Sequence, residues 1–338
     1  MSLYLQAIVG RNRSTRLGFR PSVRLRLRPG AAGTIIRRMA ASSQVENAGN
    51  PSLPPETSLG PVRLNAADAD TLAAFYEQTV GLSRLDGTNG TLALGPRDGA
   101  GALVELVHTP DAPARPPGTT GLFHLAILVP SRLELARSLR RVSDAGWRFT
   151  GASDHLVSEA LYLRDPEDNG IEIYRDRDPS EWQRAGDEIA MDSLPLDLDG
   201  VLSELAADDS PPAGMPPETR IGHVHLNVAD IAASEAFYRE ALGFDVTVRS
   251  YPGALFVSAG GYHHHVGLNT WMGDGAPPPP SGARGLEHFE IVLPTAADVE
   301  TIAQRLASHD IETTRKEGGV TAADPSGNRL RLVPAAKN

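Results

Sequence analysis

Short runs of alternating apolar and polar residues recur along this chain, and several lead into stretches of helical period. The runs "GPVRLNAADADTLAAFYEQTVGL" at 60–82 and "GHVHLNVADIAASEAFYREALGF" at 222–244 share one layout. In each, an alternating strand meets an aspartate cap, and an amphipathic helix follows that stops at Gly81 or Gly243. Pro61 precedes Phe75 by fourteen residues, and His223 precedes Phe237 by the same number. The Phe-Tyr pair of each helix reads as core packing.

A second pair of runs repeats the idea. "GLFHLAILVP" at 121–130 matches "GLEHFEIVLP" at 285–294. Each leads to a helix-like segment and then an Asp-Pro turn, "DPEDNGIEIY" from Asp165 and "DPSGNRLRLV" from Asp324. The alternation after each turn predicts a final strand. Four strand–helix–strand units are therefore expected between about 57 and 335. A single unit leaves one sheet face bare, so paired units that curl around a shared cavity are the expected solution. The predicted domains are an arginine-rich, disordered leader at 1–56, units one and two at 57–176, a linker at 177–217, and units three and four at 218–338. The linker is acidic, ends in "DDSPPAGMPPE", and has room for one short helix.

Charge and composition narrow the partners. The net charge of −10 argues against nucleic acid. Residues 1–38 hold nine arginines and no acid, which imitates an organellar transit peptide; Met39 is a plausible alternative start. No apolar run approaches the roughly 18 residues of a membrane span, so a soluble, cytoplasmic protein is expected, with no membrane partner. The chain has no cysteine, so any metal must be held by His, Asp or Glu.

These four units, with histidine on a first strand and glutamate on a last, resemble the vicinal oxygen chelate (glyoxalase/bleomycin-resistance/dioxygenase) superfamily. Within it the chain is most similar to the catechol 2,3-dioxygenase-like extradiol enzymes. The resemblance covers nearly everything after residue 57. It implies an α+β fold, with four βαβββ modules paired into two half-barrel sheets around a divalent metal. It also implies ligands from the first strand and from the strand after the Asp-Pro turn. The first-strand positions are Pro61, His124, His223 and His288. The carboxylate positions offer Glu105 in unit one, Glu172 in unit two, none in unit three, and Arg331 in unit four. Proline cannot ligate and arginine repels a cation. Pairing units two and three gives His124, Glu172 and His223, a set suited to non-haem Fe(II), with Mn(II) also accepted. Pairing in chain order gives worse sets. Glu172, between Ile171 and Ile173, would be costly in a core unless paired or metal-bound. His288 then reads as a non-ligating remnant, and His225 as either a residue behind the ligands or a packing residue.

The stretch "DHLVSEALYLRDPEDNGIE" at 154–172 resembles the extradiol signature. The resemblance gives His155 and Tyr162 contact with substrate hydroxyls. Asp168 stands where the pattern usually has glycine, and Gly170 is expected to absorb the turn. The implied reaction opens a small aromatic diol with O2 beside its hydroxyls, and it needs a group that moves protons. The run "HHHVGLN" at 263–269 is the source of that group. Strand alternation puts 263 and 265 on one face and 264 on the other. The resemblance to the family's comparable segment, a His-His pair followed by apolar strand residues, implies His265 as the acid-base residue, with His264 as runner-up and substrate contact. Trp271 and the prolines after it read as a surface loop, with a cavity rim as the other reading. Two other classes stay open: a different metalloenzyme of the superfamily (glyoxalase, lyase or thiol-transferase type) and a non-catalytic drug-binding protein. The sequence leaves the oligomeric state open.

Overall fold

The computed structural model describes residues 52–87, 90–99, 101–207 and 214–336. Most of the expected leader, and residues 208–213 of the expected linker, lie outside them. The leader's last residues belong to the fold: Leu53 is buried, and its amide donates to the Gly243 carbonyl at 2.8 Å.

Unit one runs β1 (Ser58–Ala66), α1 (Ala69–Phe75), β2 (Ser83–Leu85), β3 (Thr91–Gly95) and β4 (Val104–His108). Unit two runs β5 (Gly121–Leu128), α2 (Arg132–Asp144), β6 (Phe149–Asp154), β7 (Ser158–Arg164) and β8 (Gly170–Asp176). The connecting segment carries the short strands β9 (Arg184–Ala185), β10 (Glu188–Ile189) and β11 (Leu194–Pro195), then α3 (Leu198–Ser203). Unit three runs β12 (Arg220–Asn227), α4 (Ile231–Glu235), β13 (Asp245–Val248), β14 (Ala254–Ser258) and β15 (Val266–Asn269). Unit four runs β16 (Gly285–Leu293), α5 (Ala296–Ser308), β17 (Thr314–Lys316), β18 (Gly319–Ala323) and β19 (Arg329–Pro334).

The fold is α+β with two curled half-barrel sheets built from duplicated modules. One sheet has the order β17-β18-β19-β16-β1-β4-β3-β2 and joins unit four to unit one. The other has the order β11-β6-β7-β8-β5-β12-β15-β14-β13 and joins unit two to unit three. In each sheet two first strands pair antiparallel at the centre, β1 with β16 and β5 with β12.

The helices tie the units in chain order. Asp68 and Asp230 cap α1 and α4, accepting from the amides of Thr71 and Ala233. Both helices widen into π geometry, over Tyr76–Val80 and Ala236–Leu242, before stopping at Gly81 and Gly243. The tyrosine of each Phe-Tyr pair does more than pack. Tyr76 donates to Asp165 of unit two at 3.3 Å, and Tyr238 donates to Asp324 of unit four at 3.2 Å. Arg141 and Arg305 return the favour, donating to the carbonyls of Val80 and Ala241 at the ends of those helices. Strands thus join unit two to three, while helices and turns join one to two and three to four.

In the Asp-Pro turn of unit two, Asp168 itself takes the left-handed conformation, with φ 69°. Gly327 does so in unit four, with φ 83°. Gly170 does not absorb the turn. It is needed because a Cβ there would meet the Phe123 carbonyl oxygen at 2.0 Å, which lets β8 lie against β5.

Candidate active site

Alternation along the central strands places the ligating side chains. His223 and His225 are two apart on β12 and share a face. In the register, His225 is opposite His124, and Ala126 is opposite both His223 and Glu172. Ala126 is small, which leaves room above it for the longer side chains to converge. His124 Nε2 lies 3.0 Å from Glu172 Oε2, and His223 Nε2 lies 3.1 Å from the same oxygen. All three residues are buried, and His124 Nε2 has no hydrogen-bond partner. Donor atoms about 3 Å apart suit neighbouring ligands of one divalent ion with bonds of roughly 2.1 Å. Two imidazoles and one carboxylate on one side leave the opposite side open, so the residues fit a non-haem metal.

Electrostatics agree. Burial pushes the Glu172 carboxyl up, but His223 and His124 beside it hold it well below the usual carboxylate range. Burial pushes the His223 imidazole down to about 4, against the pull of Glu172. An ionised Glu172 beside a neutral His223 imidazole is a form that accepts a cation.

A cavity of about 310 Å³ opens over these atoms. Phe123, Tyr251, Phe256 and Trp271 give it aromatic walls, and His155, Tyr162, His225 and His264 also line it. Tyr162 and His155 are a bonded pair, with the hydroxyl 2.6 Å from Nε2. His155 Nδ1 lies 2.7 Å from the Asp192 carbonyl, which can only accept, so Nδ1 carries a hydrogen. Burial raises the Tyr162 hydroxyl well above its ordinary range, and the Glu172 charge adds to it, so the phenol keeps its proton.

The histidine run divides differently from expectation. His264 lines the cavity, its ring 4.1 Å from that of His223. His265 turns away: its Nδ1 accepts from the amide of Ala259 at 3.2 Å, and its ring lies near Phe244 and Tyr262. The cause is that β15 begins only at Val266, and the chain bends through the run before it. The acid-base role expected of His265 therefore does not fit its position, and His264 is the member of the run that lines the cavity.

The segment expected to be a linker forms part of the wall. Ile189 is buried with Val157, Val248, Ala254 and Phe256, and Met191 lines the cavity. Ser193 bonds the Tyr251 hydroxyl at 2.9 Å, and β11 pairs with β6. Trp271, 43% exposed, stands at the cavity rim against Phe123 and His225. The wall residues at 189–193 were missed because two-residue strands carry no readable period, whereas Trp271 takes the rim position that was the other reading of its loop.

The other half-barrel fills the matching positions with ion pairs. Arg331 faces Glu290 at 2.8 Å, and Arg63 faces Glu105 at 2.8 Å. His288 lies against Glu287 and completes no ligand set. In unit three the carboxylate position, opposite His225, is Gly267.

Comparison with known proteins agrees with this geometry. The description Glyoxalase/Bleomycin resistance protein/Dioxygenase superfamily matches residues 58–173 and 220–332. A Bacillus subtilis (strain 168) protein named catechol-2,3-dioxygenase is 41% identical over 289 residues, covering 83% of this chain and 99% of its own. Among solved structures, a provisionally assigned dioxygenase from Bacillus subtilis subsp. subtilis str. 168 shares the fold, with TM-score 0.62 and 11% identity, over 85% of this chain and 87% of that one. Glyoxalase I from Zea mays does so with TM-score 0.51 and 16% identity, over 82% of this chain and 92% of that one.

Proposed function

The chain belongs to the Glyoxalase/Bleomycin resistance protein/Dioxygenase superfamily, and from that footing we propose that it is an extradiol dioxygenase. It opens a catechol-type aromatic diol with dioxygen at Fe(II) held by His124, Glu172 and His223. Mn(II) suits the same donors. The observation that carries the reading is the complete set of two histidines and one carboxylate at the floor of an aromatic-walled cavity. The name of the Bacillus subtilis relative supports the substrate class.

Bound iron supplies Lewis acidity that ionises the diol and a route for electrons from the ring to dioxygen. The protein supplies the rest. Phe123, Phe256, Tyr251 and Met191 flank an aromatic ring and keep bulk water from it. The Tyr162 hydroxyl, beside His155 and Glu172, bonds a substrate hydroxyl. His264, on the cavity wall, takes a hydroxyl proton and returns it as the ring bond beside the diol opens. Both oxygen atoms enter the product, so no external reductant is consumed.

The test is oxygen uptake with catechol after anaerobic loading with Fe(II). Equal molar amounts of oxygen and diol should disappear as a ring-opened product forms. A protein that holds iron yet consumes no oxygen with catechol, substituted catechols or hydroquinone overturns the reading.

A further inference from the structure

A chain of hydrogen bonds leaves the cavity wall and takes no part in holding the ligand triad. His264 Nδ1 lies 2.8 Å from His263 Nδ1. His263 Nε2 lies 2.8 Å from Asp176 Oδ1. The other Asp176 oxygen accepts from Tyr262 at 3.0 Å, and the Tyr262 hydroxyl lies 2.8 Å from that of Tyr174. The His263 side chain is fully buried, and Asp176, at the end of β8, is 21% exposed.

Donor and acceptor counting fixes the hydrogens along this chain. A carboxylate only accepts, so the hydrogen between Asp176 and His263 belongs to His263 Nε2. With one N–H, spent on Asp176, His263 is left with a bare lone pair at Nδ1. Two Nδ1 atoms 2.8 Å apart need one hydrogen between them, and it must come from His264. Its single hydrogen is then spent on His263.

We propose that Asp176 and His263 are positioning residues that lock His264 as its Nδ1–H tautomer, leaving Nε2 as a bare acceptor for the cavity. Without the lock, a neutral imidazole would share its hydrogen between both nitrogens, and the tautomer with Nε2–H cannot take a proton from substrate there. The lock needs neither ring to change charge. Its catalytic consequence rests on the reading that His264 handles the substrate's proton.

The test reads the tautomer directly. Protein labelled with ¹⁵N in its histidine rings is examined by long-range ¹H–¹⁵N correlation, metal-free and with Zn(II). His264→Gln identifies the signals. In the wild type, His264 should show a protonated Nδ1 and a bare Nε2. In Asp176→Leu it should shift to a mixture or to Nε2–H, with kcat down about tenfold or more and KM within about twofold. Asp176→Asn should preserve both tautomer and kcat, since its side-chain oxygen accepts the same hydrogen while Tyr262 and Tyr174 exchange roles. A wild-type His264 with Nε2–H, as an imidazolium at His263 would impose, overturns the proposal without any variant needing to fold. So does an unchanged tautomer in Asp176→Leu. If the tautomer is as proposed but His264→Ala keeps full turnover, the lock stands and the role given to His264 fails.

Discussion

The imidazole of His225 rests on the bare backbone of Gly267: a Cβ there would come within 3.0 Å of the ring. Gly267 occupies the place in unit three that Glu172 occupies in unit two, so one half of the pseudo-repeat gives a ligand and the other gives space. Gly267→Ala should push His225 into the cavity. We expect the KM for catechol to rise severalfold with metal content unchanged, measured by steady-state kinetics beside metal analysis. An unaltered KM would mean that His225 yields without touching substrate.

Glu172, His264 and His265 separate by what each loses. Glu172→Ala should lose both metal and turnover. His264→Ala should keep metal and lose about 10²-fold or more in kcat. His265→Ala should keep metal and most turnover while lowering stability by about 2 kcal/mol, because it empties a buried, bonded site. Metal content, oxygen uptake and denaturant midpoints check the set. A dead but metal-replete His265→Ala would restore the role to His265.

Acid should destabilise the protein through the same residue. Burial lowers His265 to about 4 in the folded chain, from an ordinary value near 6.5. Between those values the unfolded chain binds a proton that the folded chain refuses, so stability is full above about 6.5 and is lost as the pH falls towards 4. The loss from this group is about 3 kcal/mol. His265→Gln should flatten the dependence of unfolding free energy on pH across that window. An equally steep curve would place the proton uptake elsewhere.

The half-barrel without a ligand set should answer to charge instead. Removing one partner of the Arg331–Glu290 pair, as in Arg331→Leu, leaves a largely buried carboxylate alone and should cost about 3 kcal/mol. The double variant with Glu290→Leu should recover much of that. Denaturant titration measures both, and iron content should stay at the wild-type level in each. Metal loss in Arg331→Leu would show that the two half-barrels are coupled.

Much of this architecture is legible in the sequence because alternation and turn chemistry are local. The repeats and the Asp-Pro turns follow from residues a few positions apart, and the family resemblance laid over those repeats implies His124, Glu172 and His223 as candidates. What escapes is set by long-range geometry. The likeness of the run to a His-His pair leading into a strand favours His265, but that strand starts only at Val266 and His265 turns away from the cavity. Arg331 is visibly unfit for a metal, yet its partner Glu290 emerges only from the pairing of β16 with β19. The wall made by Ile189, Met191 and Ser193 comes from pieces too short to show a period. No described helix is long and apolar enough to cross a membrane.

The strands of the sheet that carries the site come from one stretch of the chain, β5 through β15, whereas the other sheet needs both ends. Its central pair, β1 with β16, joins Ser58 to Val292. During synthesis every candidate ligand therefore emerges before the strand that closes the second sheet exists. Closure across so long a loop is the slow kind of step in folding. In refolding followed by amide exchange, the amides of β5 and β12 should gain protection ahead of those in β1.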